Sequence, residues 1–203
     1  ALPVERQSLM FSATMAPKIR SLAKEILHNP EEISVAISKP ADGVTQKVYL
    51  AHEEQKVALV RHVLGDKDDF QSIIVFCSTK KKVEKLARTL LQKGYSCQGI
   101  SSDYEQDARE EALRDFRSGK IRIMVATDVM SRGIDIKGID LVINYDVPGD
   151  AEDYVHRIGR TARAKTEGMA ITLVSADDMF KFSKIERLID RELEKEQPPK
   201  EIG

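Results

Sequence analysis

The sequence predicts an α/β domain built on a parallel β-sheet. Three observations carry this expectation. Short apolar runs rich in β-branched residues alternate with longer amphipathic stretches from residue 45 to residue 196. The segments joining consecutive runs are long enough for crossover helices, which parallel strands require. The chain has 203 residues, 41% hydrophobic and 32% charged, which is enough to bury a real core in an ordinary globular mixture.

The elements follow in order. "TQKVYLA" (45–51) reads as a strand and "QKVALVRHVL" (55–64) as a helix. "SIIVFC" (72–77) is a β-rich apolar run. In "KKKVEKLARTLLQKG" (80–94), Val83, Leu86, Ala87, Leu90 and Leu91 recur at helical spacing and Gly94 ends the helix. "SCQGI" (96–100) is a short strand, "EQDAREEALRDFRSG" (105–119) a helix, and "IRIMVA" (121–126) and "DLVINY" (140–145) are strands. Asp150 can cap a short helix through Tyr154 and Ile158. "GMAITLV" (168–174) is a further strand. A final helix is expected over 179–196, with Phe182, Ile185, Ile189 and Leu193 on one face.

Residues 1–40 read differently. "PKIRSLAKEIL" (17–27) places Ile19, Leu22, Ala23, Ile26 and Leu27 on one face, after a polar turn at "SAT" (12–14). "SKPADGVTQ" (38–46) reads as a linker, rich in Pro, Gly and polar residues.

The composition excludes several classes. With a net charge of −1, any anionic partner must be met by a local basic patch. The two cysteines, Cys77 and Cys97, sit in apolar runs without CxxC spacing, and the four histidines show no metal-ligand spacing. No apolar run reaches transmembrane length and no signal peptide is visible, so a cytoplasmic protein without membrane contact is expected.

In parallel sheets ligands gather at the carboxyl ends of the strands. The loops there carry "STKKK", "SSDYEQDAR", "TDVMSRGIDI" and "DVPGDAEDY". "YVHRIGRTAR" (154–163) follows, with three arginines and a histidine between His156 and Arg163. Arg160 and Arg163, three apart, point to one side of a helical turn and fork onto phosphate oxygens. An isolated pair of this kind more often lies on a solvated face, here opposite Asp150, Glu152 and Asp153. In "ATDVMSRGIDI" (126–136), Thr127 and Asp128 directly follow a strand, Arg132 and Gly133 would form a tight loop, and Asp135 could accept from a ribose hydroxyl. An ordinary capped loop remains the alternative. Residues 78–93 carry six basic residues against Glu84, a possible phosphate-backbone surface. Lys81, Lys82 and Lys93 are expected to be merely solvated, with Ser78 and Thr79 the better contacts. There is no GxxxxGK[ST] loop and no acidic strand motif for magnesium, so the residues describe half of a nucleotide site.

Together these stretches resemble the DEAD-box RNA helicases. "SAT" is similar to motif III, "IVFCST" (74–79) to motif IV, Gln106 and Arg109 to the QxxR element, "ATDVMSRGIDI" to motif V, "VINYD" (142–146) to the short motif after it, and "YVHRIGRTAR" to motif VI. The chain departs from the usual pattern at Ser101-Ser102-Asp103, at Glu105 and in "RTAR".

The resemblance implies a RecA-like fold, with the parallel sheet flanked by helices on both faces. It divides the chain into the last strand and helix of a first RecA-like domain (1–37), a linker (38–46), a second RecA-like domain (47–196) and a tail (197–203). Arg160 and Arg163 would be arginine fingers toward the γ-phosphate of ATP, with His156 and Arg157 organising the catalytic interdomain contacts. Gly133 and Asp135 would also meet ATP. Thr79, Arg109 and Thr127 would touch the RNA backbone irrespective of base sequence, with Gln106 bracing the loop. Ser12, Thr14, Asp128 and Arg132 would couple the domains. ATP with Mg2+ would be held mainly by the first domain, so this half alone is expected to be inactive. Without that domain, residues 1–30 would be exposed and prone to self-association. A non-catalytic RNA-binding module, or half of a DNA translocase, are the rival readings.

Overall fold

The computed structural model describes residues 3, 5–12, 15, 17–33, 43–65, 70–101, 103–128, 138–161 and 168–202. The chain divides into two units, Ala1–Ile37 and Ser38–Gly203.

The first unit contains one helix, α1 (Pro17–Ile26). Ala23 is buried, Ile19 and Leu27 are half-buried, and Leu22 and Ile26 are exposed. Arg20 Nη1 meets Glu32 Oε2 at 3.0 Å, which folds the segment after the helix back along it. No strand forms among the described residues before 34. Leu9, Phe11 and Ile33 lie in water at 70%, 89% and 86% exposure. That exposure is no evidence for the expected self-association.

The second unit carries β1 (Val44–Leu50), α2 (Glu53–Leu64), β2 (Ile73–Phe76), α3 (Lys80–Gln92), β3 (Cys97–Ile100), α4 (Gln106–Arg117), β4 (Ile123–Ala126), β5 (Leu141–Asn144), α5 (Ala151–Ile158), β6 (Gly168–Val174), α6 (Met179–Ile189) and β7 (Lys195–Glu196). The strands form one seven-stranded sheet in the order β3-β4-β2-β5-β6-β1-β7. Every pairing is parallel, as the alternation of elements predicts. Alternate strand residues supply two cores, one on each face. Leu59, Val60 and Leu64 of α2 and Val83, Leu86 and Leu90 of α3 pack with Ile73, Val75, Ile123 and Ile143 on one face. Phe116 of α4, Tyr154 and Ile158 of α5, and Phe182 and Ile185 of α6 pack with Ile74, Phe76, Met124 and Val142 on the other. None of the described helices is long and apolar enough to cross a membrane.

Two boundaries differ from the sequence reading. β1 begins at Val44, inside the expected linker, because its ladder runs to the very start of β6, with Val44 opposite Gly168 and Gly168 N donating to Gly43 O at 3.1 Å. The last helix stops at Ile189, not 196. Asp190 turns left-handed (φ 53), and Arg191 N donates to Glu186 O in a C-terminal cap. Glu186 then accepts from Leu193 N at 3.0 Å and Lys195 Nζ at 2.7 Å, drawing the chain into a short strand beside β1. Leu193 still reaches the core, but from beyond the end of the helix. The expected tail also packs: Ile202 lies against the α2–α3 core, and Gln55 Nε2 donates to its carbonyl at 3.4 Å.

Candidate functional site

The site builds outward from the exits of β4, β2 and β5, which lie side by side at the middle of the sheet. Arg157, on α5, reaches across all three and is only 2% exposed. Its Nε and Nη2 fork onto Asp128 Oδ1 and Oδ2 at 2.6 and 2.7 Å, just beyond β4. Its Nη1 donates to Asn144 Oδ1 at 3.1 Å and to the Asp146 carbonyl at 2.8 Å, at the exit of β5. Its guanidinium lies 4.9 Å from the centre of the Phe76 ring at the end of β2. Asn144 is fixed in turn, donating to Thr172 Oγ1 at 3.1 Å across the ladder.

Asp146 is the second node. Its Oδ2 accepts Ser78 N at 2.8 Å, and its Oδ1 accepts Lys82 Nζ at 2.6 Å and Lys56 Nζ at 3.4 Å. Lys56 is fully buried and also meets Glu53 at 3.1 Å and Asp178 at 3.9 Å. Lys82 reaches Glu53 at 2.8 Å. Burial pushes the Asp146 carboxyl up. Hydrogen bonds from Lys82 and Ser78 and the charge of Lys56 outweigh it, leaving the carboxyl below the usual aspartate range. Burial likewise opposes the charge on Lys82, but its bonds to Asp146 and Glu53 hold it above the ordinary lysine range.

The loops expected to meet RNA surround this pair of nodes. Thr79 caps α3 by accepting Lys82 N at 3.3 Å, and its side chain is otherwise on the surface. Lys80 pairs with Asp103 of the loop after β3. Gln106 Nε2 donates to Glu110 one turn along α4 at 2.8 Å. Arg109, half-buried, lies one turn along the same helix, and Thr127 directly precedes Asp128.

The arginine turn lies elsewhere. At the end of α5 the Arg160 carbonyl accepts Gly138 N at 3.1 Å and Ile139 N at 3.2 Å, just before β5. Thr161, 1% exposed, donates from Oγ1 to the Ile139 carbonyl. Gly168, at the start of β6, backs directly onto this turn: a Cβ there would fall 2.5 Å from the Thr161 carbonyl oxygen. The Arg160 backbone is therefore tied to the amino ends of β5 and β6, while the side chain is half-exposed. Arg163, Gly133, Asp135, Arg132 and Thr14 lie outside the described residues. Ser12 belongs to the first unit and is exposed there.

Residues 55–165 match the family model described as "Helicase conserved C-terminal domain". The chain is 42% identical over 199 residues to the DEAD-box ATP-dependent RNA helicase CshA of Geobacillus kaustophilus, covering 98% of this chain and 42% of that protein. It belongs to the DEAD-box helicase C-terminal domains. Among solved structures, the S. cerevisiae protein Dbp5 bound to RNA and ADP BeF3 matches with a TM-score of 0.81 at 30% identity, over 97% of this chain and 52% of that one. The E. coli DEAD-box protein SrmB, bound to the regulator of ribonuclease activity A, matches with a TM-score of 0.70 at 35% identity, over 77% of this chain and 91% of that one. The chain spans about two fifths of the length of the curated relatives it matches.

One expectation for this helicase domain needs correcting, at Lys82, while Arg157 braces the interior of its own unit. Arg157 is buried and carries a bidentate ion pair and two further hydrogen bonds there. Lys82 is not merely solvated, since its ammonium is committed inward to Asp146 and Glu53. His156 is half-exposed, with Nδ1 3.9 Å from Asp153 Oδ1 on the preceding turn. The sequence reading missed Lys56 and Asp178, and quoted Asn144 and Asp146 within "VINYD" without giving either a role. One signal was available: Lys56 occupies the apolar stripe of α2 with Leu59 and Val60, three and four residues on. A charge at such a position requires a buried counter-charge.

Proposed function

We propose that this domain is the C-terminal half of an ATP-dependent RNA helicase, supplying Arg160 and Arg163 to the γ-phosphate of ATP held on a first RecA-like domain. Thr79, Arg109 and Thr127 meet RNA phosphates and sugars, so base sequence matters little. Residues 1–37 are the end of the first domain. RNA and ATP together close the two domains, which places the arginines on the charge that develops during phosphoryl transfer and locally separates a duplex. Among the described residues no group of three or more His, Cys, Asp or Glu could hold a metal ion. In this reading the magnesium that accompanies ATP has its ligands on the first domain.

The observation that supports this best is the fixing of the α5 turn. Arg160 is half-exposed on a backbone held by Gly138, Ile139 and the Thr161–Gly168 contact. A cation on an immobilised backbone stabilises developing charge without reorganising at the moment of reaction.

The test is Arg160→Ala in the helicase that carries this domain. RNA-stimulated ATP turnover should fall by on the order of a hundredfold, with ATP binding to the open form changed little. Turnover within a few-fold of the parent removes Arg160 from the catalytic groups. A matching loss of RNA affinity, with turnover at saturating RNA intact, favours a phosphate clamp and the adaptor reading instead.

A further inference from the structure

A charge cluster beneath the RNA-side loop has no part in the reading above. Lys56 is 0% exposed on the apolar stripe of α2, where an aliphatic side chain would fill the space with no ion to desolvate. Its ammonium, that of Lys82, and the carboxylates of Glu53, Asp146 and Asp178 form one connected group. Asp146 alone among these five also grips the backbone of the loop after β2. Its Oδ2 accepts Ser78 N at 2.8 Å. Its Oδ1 holds Lys82, whose own backbone N–H donates to Thr79 Oγ1 at 3.3 Å. Thr79 is thereby fixed from both sides, through its neighbour's amide and through its own hydroxyl. The same residue reaches the α5 side as well, because the Asp146 carbonyl accepts Arg157 Nη1 at 2.8 Å. One chain of hydrogen bonds thus runs from Ser78 through Asp146 and Arg157 to Asp128, linking the exits of β2, β5 and β4.

We propose that Asp146 is a positioning residue for RNA, one that sets Thr79 without touching RNA itself, and that Lys82 serves Asp146 and not a phosphate. This rests on the assignment of Thr79 as an RNA contact. The lysines hold the carboxylate; the carboxylate holds the loop.

Charge and positioning predict opposite signs, which makes the proposal testable. Asp146→Asn removes a negative charge near the RNA path, so electrostatics alone would tighten binding. Loss of the loop clamp loosens it. Affinity of the 203-residue chain for a short single-stranded oligouridine is measured across a salt series, with urea unfolding of each variant alongside. The expected result for Asp146→Asn is about tenfold weaker binding, the equivalent of one charge-assisted hydrogen bond. Lys82→Met should also weaken binding while leaving the log–log salt slope unchanged. A lysine contacting a phosphate directly would instead lower that slope by roughly 0.7. Lys82 is a third exposed, so its variant carries the test if Asp146→Asn does not fold.

Unchanged or tighter binding by folded Asp146→Asn overturns the positioning role. A reduced slope for Lys82→Met overturns its inward commitment. If the parent chain binds no oligouridine at any salt, the assignment of Thr79 falls, and the proposal with it. That outcome is distinct from a parent that binds beside variants that do not differ from it.

Discussion

Arg157→Lys separates a buried brace from a functional surface arginine, and its cost follows from the contacts. Arg157 makes two charge-assisted bonds to Asp128, one to Asn144 and one to the Asp146 carbonyl. Lysine keeps the charge but presents a compact ammonium on a flexible stem, without the planar fork. Its three donors radiate from a single nitrogen and cannot span all four acceptors as the fork does, so loss of two of the bonds is expected. Two lost charge-assisted bonds cost about 1.5 kcal/mol each. Loss of the guanidinium above Phe76, 4.9 Å away, adds about 0.5–1 kcal/mol. The sum is about 3.5–4 kcal/mol, a large fraction of the roughly 5–15 kcal/mol by which such domains are stable. With a urea slope of about 2 kcal/mol/M, the unfolding midpoint should fall by about 1.8–2 M. Far-UV circular dichroism and tyrosine fluorescence follow the transition; the chain has five tyrosines and no tryptophan. The two probes must coincide for the free energy to be meaningful. A midpoint that moves by less than about 0.3 M would mean that Arg157 is not under the load the geometry assigns to it. A double cycle with Asp128→Asn should return a coupling of about 1–3 kcal/mol.

Two further outcomes are expected. Gly168→Ala drives a methyl into Thr161, and relief of that clash should cost about 1–3 kcal/mol on urea unfolding. The displaced turn carries Arg160, so turnover of the whole helicase should fall more than its RNA affinity; equal effects on both would separate the turn from the chemistry. Alkaline pH should destabilise the domain. Burial pushes the Cys97 thiol from 9.0 up to about 12 and the Tyr154 phenol from 10.0 up to about 12. The unfolded chain therefore releases these protons first, and stability is full below about pH 9 and lost as pH rises toward 12, by a few kcal/mol. Tyr154→Phe should flatten the upper part of that decline and cost about 1 kcal/mol at neutral pH, through the lost bond to Gln46. A decline of the same steepness in Tyr154→Phe would exclude the phenol as its cause.

Periodicity made the sheet and most of its helices legible, because each element is amphipathic by itself. β6, residues 168–174, falls where its sequence pattern places it. The failures came where a distant partner decides. β1 gained Val44 from its register with Gly168, which local composition cannot register. The final helix ended early because the Glu186 side chain turns the chain back on itself, although Leu193 keeps helical phase. The site divides in the same way. Thr79, Asp128, Arg157 and Arg160 were legible as motif residues. Whether each faces outward or inward was not, since Arg157 and Arg160 differ by three positions and end in different surroundings. Asp146 was quoted as part of "VINYD" without a role, because its role depends on lysines from α2 and α3, 90 and 64 residues away in the chain.

The placement of β1 between β6 and β7 has a kinetic consequence. β1 is the first strand among the described residues of its unit to be synthesised, yet its ladder partner β6 emerges roughly 120 residues later, a long loop to close before any contact rewards it. Val48 is then an apolar side chain without a home until nearly the whole domain has left the ribosome. The inner strands β2 to β5 can pair first, on shorter loops. In refolding, protection of the β1 amides should therefore appear last, in step with α6 and the closing turn at residues 190–196. Shortening the chain before β7 would leave β1 as an unpaired margin, the kind of edge on which strands from separate molecules assemble.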